Sequence, residues 1–290
     1  MKKYMMLILM LPCICPSAAS LAEEKTLEET IEKTYAFHGT GTSRRLIVDN
    51  YNGDIRIRGH RNDTVQVKIT RIAWARSPEQ MEKALTEVRL DISEETDVIE
   101  FYVDGPFRDK NTARTWHPGR YKVTCHFDIT VPEDINVVLK TVNNGNIQVS
   151  HIHGVCSAHN MNGGIVMEGV RQVLDVYSLN EDVVVHFDRN PAQDCSIGSL
   201  NGDVRLHFLP GLSADFIIET FNGEVYSDFQ SQNTLAPSFS ETDRNIVNRY
   251  KTGHKGRIRI GKGGPKINWR GFNGDLLILN KERHHSLQFE

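Results

Sequence analysis

Apolar and polar residues alternate along most of this chain with the period of two that sets one side of a β-strand against a core. The alternation is broken, again and again, at an Asn-Gly turn. Such turns stand at Asn52-Gly53, Asn144-Gly145, Asn162-Gly163, Asn201-Gly202, Asn222-Gly223 and Asn273-Gly274, with a degenerate copy at Asn180-Glu181. Aligned on the Asn, the flanks repeat as well. Three residues after it come Ile55, Ile147, Ile165, Val183, Val204, Val225 and Leu276; five after come Ile57, Val149, Met167, Val185, Leu206, Ser227 and Ile278. Four before stand Val48, Lys140, Ala158, Val176, Ile197, Ile218 and Trp269; six before stand Leu46, Val138, Cys156, Leu174, Cys195, Phe216 and Ile267. Each copy therefore reads as strand, corner, strand.

The inward positions on the two sides of a corner differ by seven residues, an odd number, so a straight strand cannot point both at one core. The corner must absorb a residue, and Asn and Gly tolerate the positive φ that this invites. Serial Asn-Gly hairpins and a coil of stacked units both satisfy the pattern. Steps of 18, 18, 21 and 21 residues between Asn144 and Asn222 favour the coil. The predicted class is mainly β: a β-solenoid over residues 135–279, preceded at 44–134 by a sandwich-like β part carrying one helix. Ser77-Pro78-Glu79-Gln80 starts that helix, 78–88, with Ser as N-cap and Pro at the first helical position. Residues 23–43 read as a leader with a short helix, since Leu27 and Ile31 lie one helical turn apart. Residues 230–262 interrupt the repeat, and 280–290 form a cap or tail.

Lys2-Lys3, an apolar stretch from Met5 to Ile14, and Ser20-Leu21-Ala22 predict a secretory signal peptide over residues 1–22. The stretch is too short for a membrane span, so the mature chain is expected to be exported, to the periplasm, cell surface or beyond, with no transmembrane segment. Removal of those residues takes two lysines and no acid, leaving 32 basic and 37 acidic residues. So mild a balance argues against nucleic acid as the partner. Cys125, Cys156 and Cys195 are few and odd in number; the last two fall on one inward ladder and imply no disulfide.

Ser199-Leu200-Asn201-Gly202-Asp203-Val204, Thr220-Phe221-Asn222-Gly223-Glu224-Val225, and Gly263-Gly264-Pro265-Lys266-Ile267 leading to Phe272-Asn273-Gly274-Asp275 carry a further signal. Over about residues 44–279 the chain resembles a family of bacterial exported β-strand-repeat putative adhesins, a domain of unknown function. The resemblance implies a β-solenoid or sandwich-like body outside the cytoplasm and brings no catalytic set with it. Glu181 in place of Gly, and Lys140 on an inward ladder, depart from the pattern.

Three constellations carry candidate chemistry. From Arg244 to Arg270 there is no acid, and alternation sets Arg257 and Arg259 on one side of a strand; with Lys262, Lys266 and Arg270 they form the candidate binding face, suited to an anionic envelope polymer or another envelope protein. Its bland reading is a solvated edge guarded by cations. Two residues after each Asn stand Asp54, Asn146, Gly164, Asp182, Asp203, Glu224 and Asp275, either a carboxylate column for Ca²⁺ or acid–base work, or ordinary turn chemistry. Six after it stand Ser150, Glu168, His186, His207 and Asp228, with His151, His153 and His159 near in sequence; this column reads as a solvated polar face, and no metal or cofactor is expected. The expected function is a non-enzymatic envelope or extracellular scaffold and binding protein. The alternatives are a polysaccharide-acting enzyme with a groove of carboxylates, and a partner in envelope-stress signalling.

Overall fold

The computed structural model describes residues 25–39, 41, 43–109, 121–231, 248–250 and 255–284. The expected signal peptide and most of the 230–262 interruption lie outside them. No helix among the described residues is long and apolar enough to cross a membrane.

Two large mixed sheets enclose one core. The first runs β1 (Lys25–Tyr35), β4 (Val65–Ala75), β7 (Tyr121–Pro132), β3 (Ile55–His60), β9 (Ile147–Ser150), β11 (Ile165–Val170), β13 (Val183–Phe187), β15 (Val204–Phe208), β21 (Leu276–Asn280), β17 (Val225–Ser227) and β18 (Asn248–Tyr250). The second runs β19 (Lys255–Ile260), β16 (Ala214–Glu219), β20 (Lys266–Gly271), β14 (Cys195–Ser199), β12 (Gln172–Ser178), β10 (Val155–Asn160), β8 (Asn136–Thr141), β2 (Arg45–Asp49), β6 (Val98–Asp104) and β5 (Arg89–Glu94). Each corner carries the chain from the second sheet to the first, as β14 does to β15. Two helices complete the described elements: α1 (Pro78–Glu87) and the short α2 (Lys281–His284). Ser77 caps α1 through its side chain on the Gln80 amide, with Pro78 in the first turn, as its sequence prescribes.

The expected β-solenoid is not what forms; the sheets are extensive and mixed. β2 and β3, from the expected sandwich-like N-terminal part, pair in parallel with β8 and β9 inside the same two sheets. The last unit in sequence is not last in space: β20 lies between β14 and β16, and β21 between β15 and β17. Strands β1, β4, β5, β18 and β19 pair antiparallel. Two of them, β18 and β19, come from described parts of the interruption and give each sheet an outer strand. Residues 25–35, expected as a leader with a helix, form β1 instead, paired with β4 along its whole length; one apolar pair a helical turn apart is no match for eleven paired residues.

The apolar ladders are buried as read, with two slips. All seven residues three after the Asn, from Ile55 to Leu276, are fully buried. Before the Asn, Leu139 rather than Lys140 and Val137 rather than Val138 face the core, because Asn143 is the partner of Asn52 and Asn144 is an extra corner residue at φ +49°. Leu174 is exposed and Val173 buried, since the β10–β12 register shifts by one residue at Cys156/Ser157. Such a bulge moves side chains to the opposite face. Cys125, Cys156 and Cys195 are free and buried, and burial pushes their thiols up to about 11, 12 and 12.

Candidate functional site

Most corners are built from three polar positions. Two residues before the Asn, counted from Asn143 in the second corner, the inward slot of six of the seven corners holds a short polar side chain, buried in each case: Asn50, Thr141, Asn160, Ser178, Ser199 and Thr220. These satisfy corner backbone groups, as when Ser199 Oγ donates to the Glu181 carbonyl and accepts the Gly202 amide. The Asn amides hydrogen-bond one another in a ladder, Asn162 to Asn143 at 2.7 Å, Asn180 to Asn162 at 2.7 Å, Asn201 to Asn180 at 3.0 Å, Asn273 to Asn201 at 3.1 Å and Asn222 to Asn273 at 2.8 Å. Two residues after the Asn, carboxylates receive the next corner's amide: Asp182 from Asp203, Asp203 from Asp275, and Asp275 from Glu224. Arg205 bridges Asp182 and Asp203, and Arg249 grips Glu224. The proposed acid column is thus occupied by backbone and arginine, and its spatial order is 182, 203, 275, 224.

The polar column six after the Asn assembles only in part. Ser150, Glu168, His186 and His207 stand side by side, and the two imidazoles stack at 4.0 Å. Beside His207 stands Leu279, however, and Asp228 is a buried carboxylate that accepts the Asn280 amide.

The basic face comes together on the outer side of the second sheet, but with acids in it. β16 lies between β19 and β20 and presents Asp215 and Glu219. Asp215 binds Arg259 at 2.7 and 3.1 Å and Arg257 at 3.2 Å, and Glu219 faces Lys255 at 3.3 Å and Arg270 at 3.9 Å. Lys262 and Lys266 are exposed; their backbone amides bond Ser213 and Asp194. The sequence window 244–270 could not reveal Asp215 and Glu219, which join it through non-local pairing.

The Arg259 guanidinium, aided by Arg257, holds the Asp215 carboxyl down at about 2. The group is ionised in the fold at pH values where an unfolded Asp, near 3.9, is protonated. Its stabilising contribution is therefore complete above about pH 4 and is lost as pH falls through about 2. Urea midpoints of wild type and Asp215→Asn are expected to differ by a constant amount from neutral pH to about pH 5 and to converge between about pH 4 and 2. A constant gap throughout would mean that the ion pairs do not set this carboxyl.

An open hollow of about 540 Å³ adjoins this face. Tyr177, Leu200, Phe221 and Phe272 form its apolar surface, and Lys255, Arg270 and Glu219 its charged one. Phe221 and Phe272 precede their Asn on adjacent corners, so the in-register strands stack their rings at 4.9 Å and 4° apart in plane. Both are exposed, at 56% and 42%. Tyr177 lies against Gly198, where an added Cβ would stand 3.1 Å from its ring. Exposed aromatics and exposed cations, which share only the half-exposed Glu219, can at one shallow hollow hold a ligand with flat apolar faces and anionic groups. The signal for these aromatics was available: an inward residue two before the Asn puts its successor outward, and that successor is Tyr51, Met161, Leu179, Leu200, Phe221 or Phe272.

No family model matches the chain, and no curated protein does. Among solved structures, one from Clostridium sporogenes described as a putative cell adhesion protein is similar with a TM-score of 0.42 and 13% identity, over 87% of this chain and 100% of its own. Another, from Parabacteroides distasonis and described as a putative lipid binding protein, has a TM-score of 0.27 and 8% identity, over 87% of this chain and 94% of its own.

Proposed function

We propose that the protein is a non-enzymatic binding protein of the cell envelope or extracellular space, and that it holds an anionic envelope polymer in the hollow beside β20. The stacked, exposed Phe221–Phe272 pair next to Lys255 and Arg270 carries this reading. Aromatic planes receive the apolar faces of sugar rings or similar groups, while exposed ammonium and guanidinium groups meet carboxylate or phosphate. Arg257 and Arg259 serve Asp215 and are assigned to the fold. The binding face narrows to Lys255, Lys266 and Arg270 with the two phenylalanines. A polysaccharide-acting enzyme would require carboxylates free to move protons; those of the corner column are held by amides and arginines.

Binding of the protein to isolated envelope fractions is expected to weaken as salt rises. A Lys255→Ser, Lys266→Ser, Arg270→Ser variant is expected to bind roughly tenfold more weakly at low salt, and Phe272→Ser to weaken binding at every salt concentration. Equal binding by wild type and both variants, each still folded by circular dichroism, would remove the hollow from the proposal.

A further inference from the structure

Away from the hollow, the turn between β7 and β8 and the loop between β9 and β10 bring together Glu133, Asp134 and His153, whose ligand atoms all lie within 4.8 Å of one another. The backbone places them. The Glu133 carbonyl accepts the amides of His153 at 2.6 Å and Gly154 at 3.4 Å. Gly154 lets the loop press against the turn, since a Cβ there would fall 2.2 Å from the Ile135 carbonyl oxygen. The imidazole is thereby aimed between two carboxylates, and His153 has only 14% of its side chain exposed.

His153 Nδ1 stands 3.5 Å from Glu133 Oε1 and 3.7 Å from Asp134 Oδ1. Both distances exceed the roughly 2.7–3.2 Å of an N–H···O bond. They match the edge of a metal tetrahedron, about 3.4 Å when ligand bonds are about 2.0–2.2 Å long. An imidazole nitrogen with two carboxylates suits zinc rather than magnesium or calcium, which take oxygen alone. Asp134, with 74% of its side chain exposed, leaves a path by which the ion enters and a water completes the fourth position.

We propose that Glu133, Asp134 and His153 bind one Zn²⁺, which fastens the β9–β10 loop to the β7–β8 turn. Twenty residues separate the acid from the histidine, and only the parallel stacking of β8 and β10 makes them neighbours.

Isothermal titration of the purified protein with zinc chloride near neutral pH tests this. One equivalent binds with micromolar affinity, and His153→Ala and Asp134→Asn each weaken binding by about tenfold or more. His159→Ala, whose ring pairs with Asp175 elsewhere, leaves binding unchanged. Zinc raises the melting temperature of wild type and not of His153→Ala, and excess calcium or magnesium chloride does not compete. Asp134 sits on an exposed turn, so Asp134→Asn decides the matter if His153→Ala does not fold. Absence of binding, binding that survives Asp134→Asn undiminished, or equal affinity for calcium overturns the assignment.

Discussion

Gly202→Val is expected to destabilise the protein by about 3 kcal/mol, with a fall of roughly 10 °C in Tm for a chain of this size. A Cβ at Gly202 would lie 2.3 Å from the Glu181 carbonyl carbon and 2.4 Å from its oxygen. The same crowding recurs at Gly145 against Gly53, at Gly163 against Gly145, at Gly223 against Gly274 and at Gly274 against Gly202, with a carbonyl oxygen 2.0–2.2 Å away. Gly145, Gly163, Gly202 and Gly223 do not have positive φ, which is confined among the corner glycines to Gly53 and Gly274. The turn thus selects glycine chiefly for closeness of approach between corners, and only twice for backbone conformation. Gly164→Ala is the matched control: its Cβ would make ordinary contacts at 3.4 and 3.8 Å, and its effect is expected to stay within about 0.5 kcal/mol. Equal melting of wild type and Gly202→Val would show that the corners can part freely. Glu181 marks the one corner that carries a side chain in this slot.

Trp269→Ala is expected to cost about 4 kcal/mol, read from urea midpoints, by loss of apolar contact and by the cavity left behind. Trp269 is 1% exposed and pairs with Ile197 on β14 and Ile218 on β16, at the centre of the second sheet's inserted strand. Its ring explains why this corner departs from the others. Where they carry a buried polar residue two before the Asn, it has Gly271, and a Cβ there would lie 2.8 Å from the indole Cζ2; a Cβ at Gly223 would likewise lie 2.9 Å from Cη2. Phe272→Ala, by contrast, removes an exposed ring and is expected to cost under about 1 kcal/mol. Comparable losses from the two substitutions would mean that Trp269 is not packed as described.

The contrast shows which features the sequence could carry. Period-two alternation placed the ladders of Ile55, Val176 and Leu206 in the core, because burial depends on strand faces that local pattern specifies. It slipped by one residue at Asn144 and Leu174, where an extra residue is absorbed without any change in composition. The order of units in space was not legible at all. Apolar ladders are interchangeable, so nothing local tells β21 to pair with β15 and β17 rather than beyond them. For the candidate site, the basic residues were visible and their neutralising partners were not: Asp215 lies 44 residues from Arg259 in sequence and 2.7 Å away in space. The cation–carboxylate distances, and with them the division between arginines held by the buried Asp215 and Arg270, which faces exposed Glu219 at 3.9 Å, exist only after the sheet has assembled.

The insertion of the last unit between two earlier ones also sets the order in which the chain can be completed. Strands β14 and β16, and likewise β15 and β17, do not touch as neighbours until residues 266–280 arrive to lie between them. Pairing across the 72 residues from Leu206 to Ile278 carries a loop-closure cost that local hairpins avoid and makes assembly slow. A chain that lacks residues 266–280 therefore holds four strands with open hydrogen-bonding edges, which only β20 and β21 fill. The two sheets become whole only when these two strands are in place, from the inside of the sheets rather than from an edge.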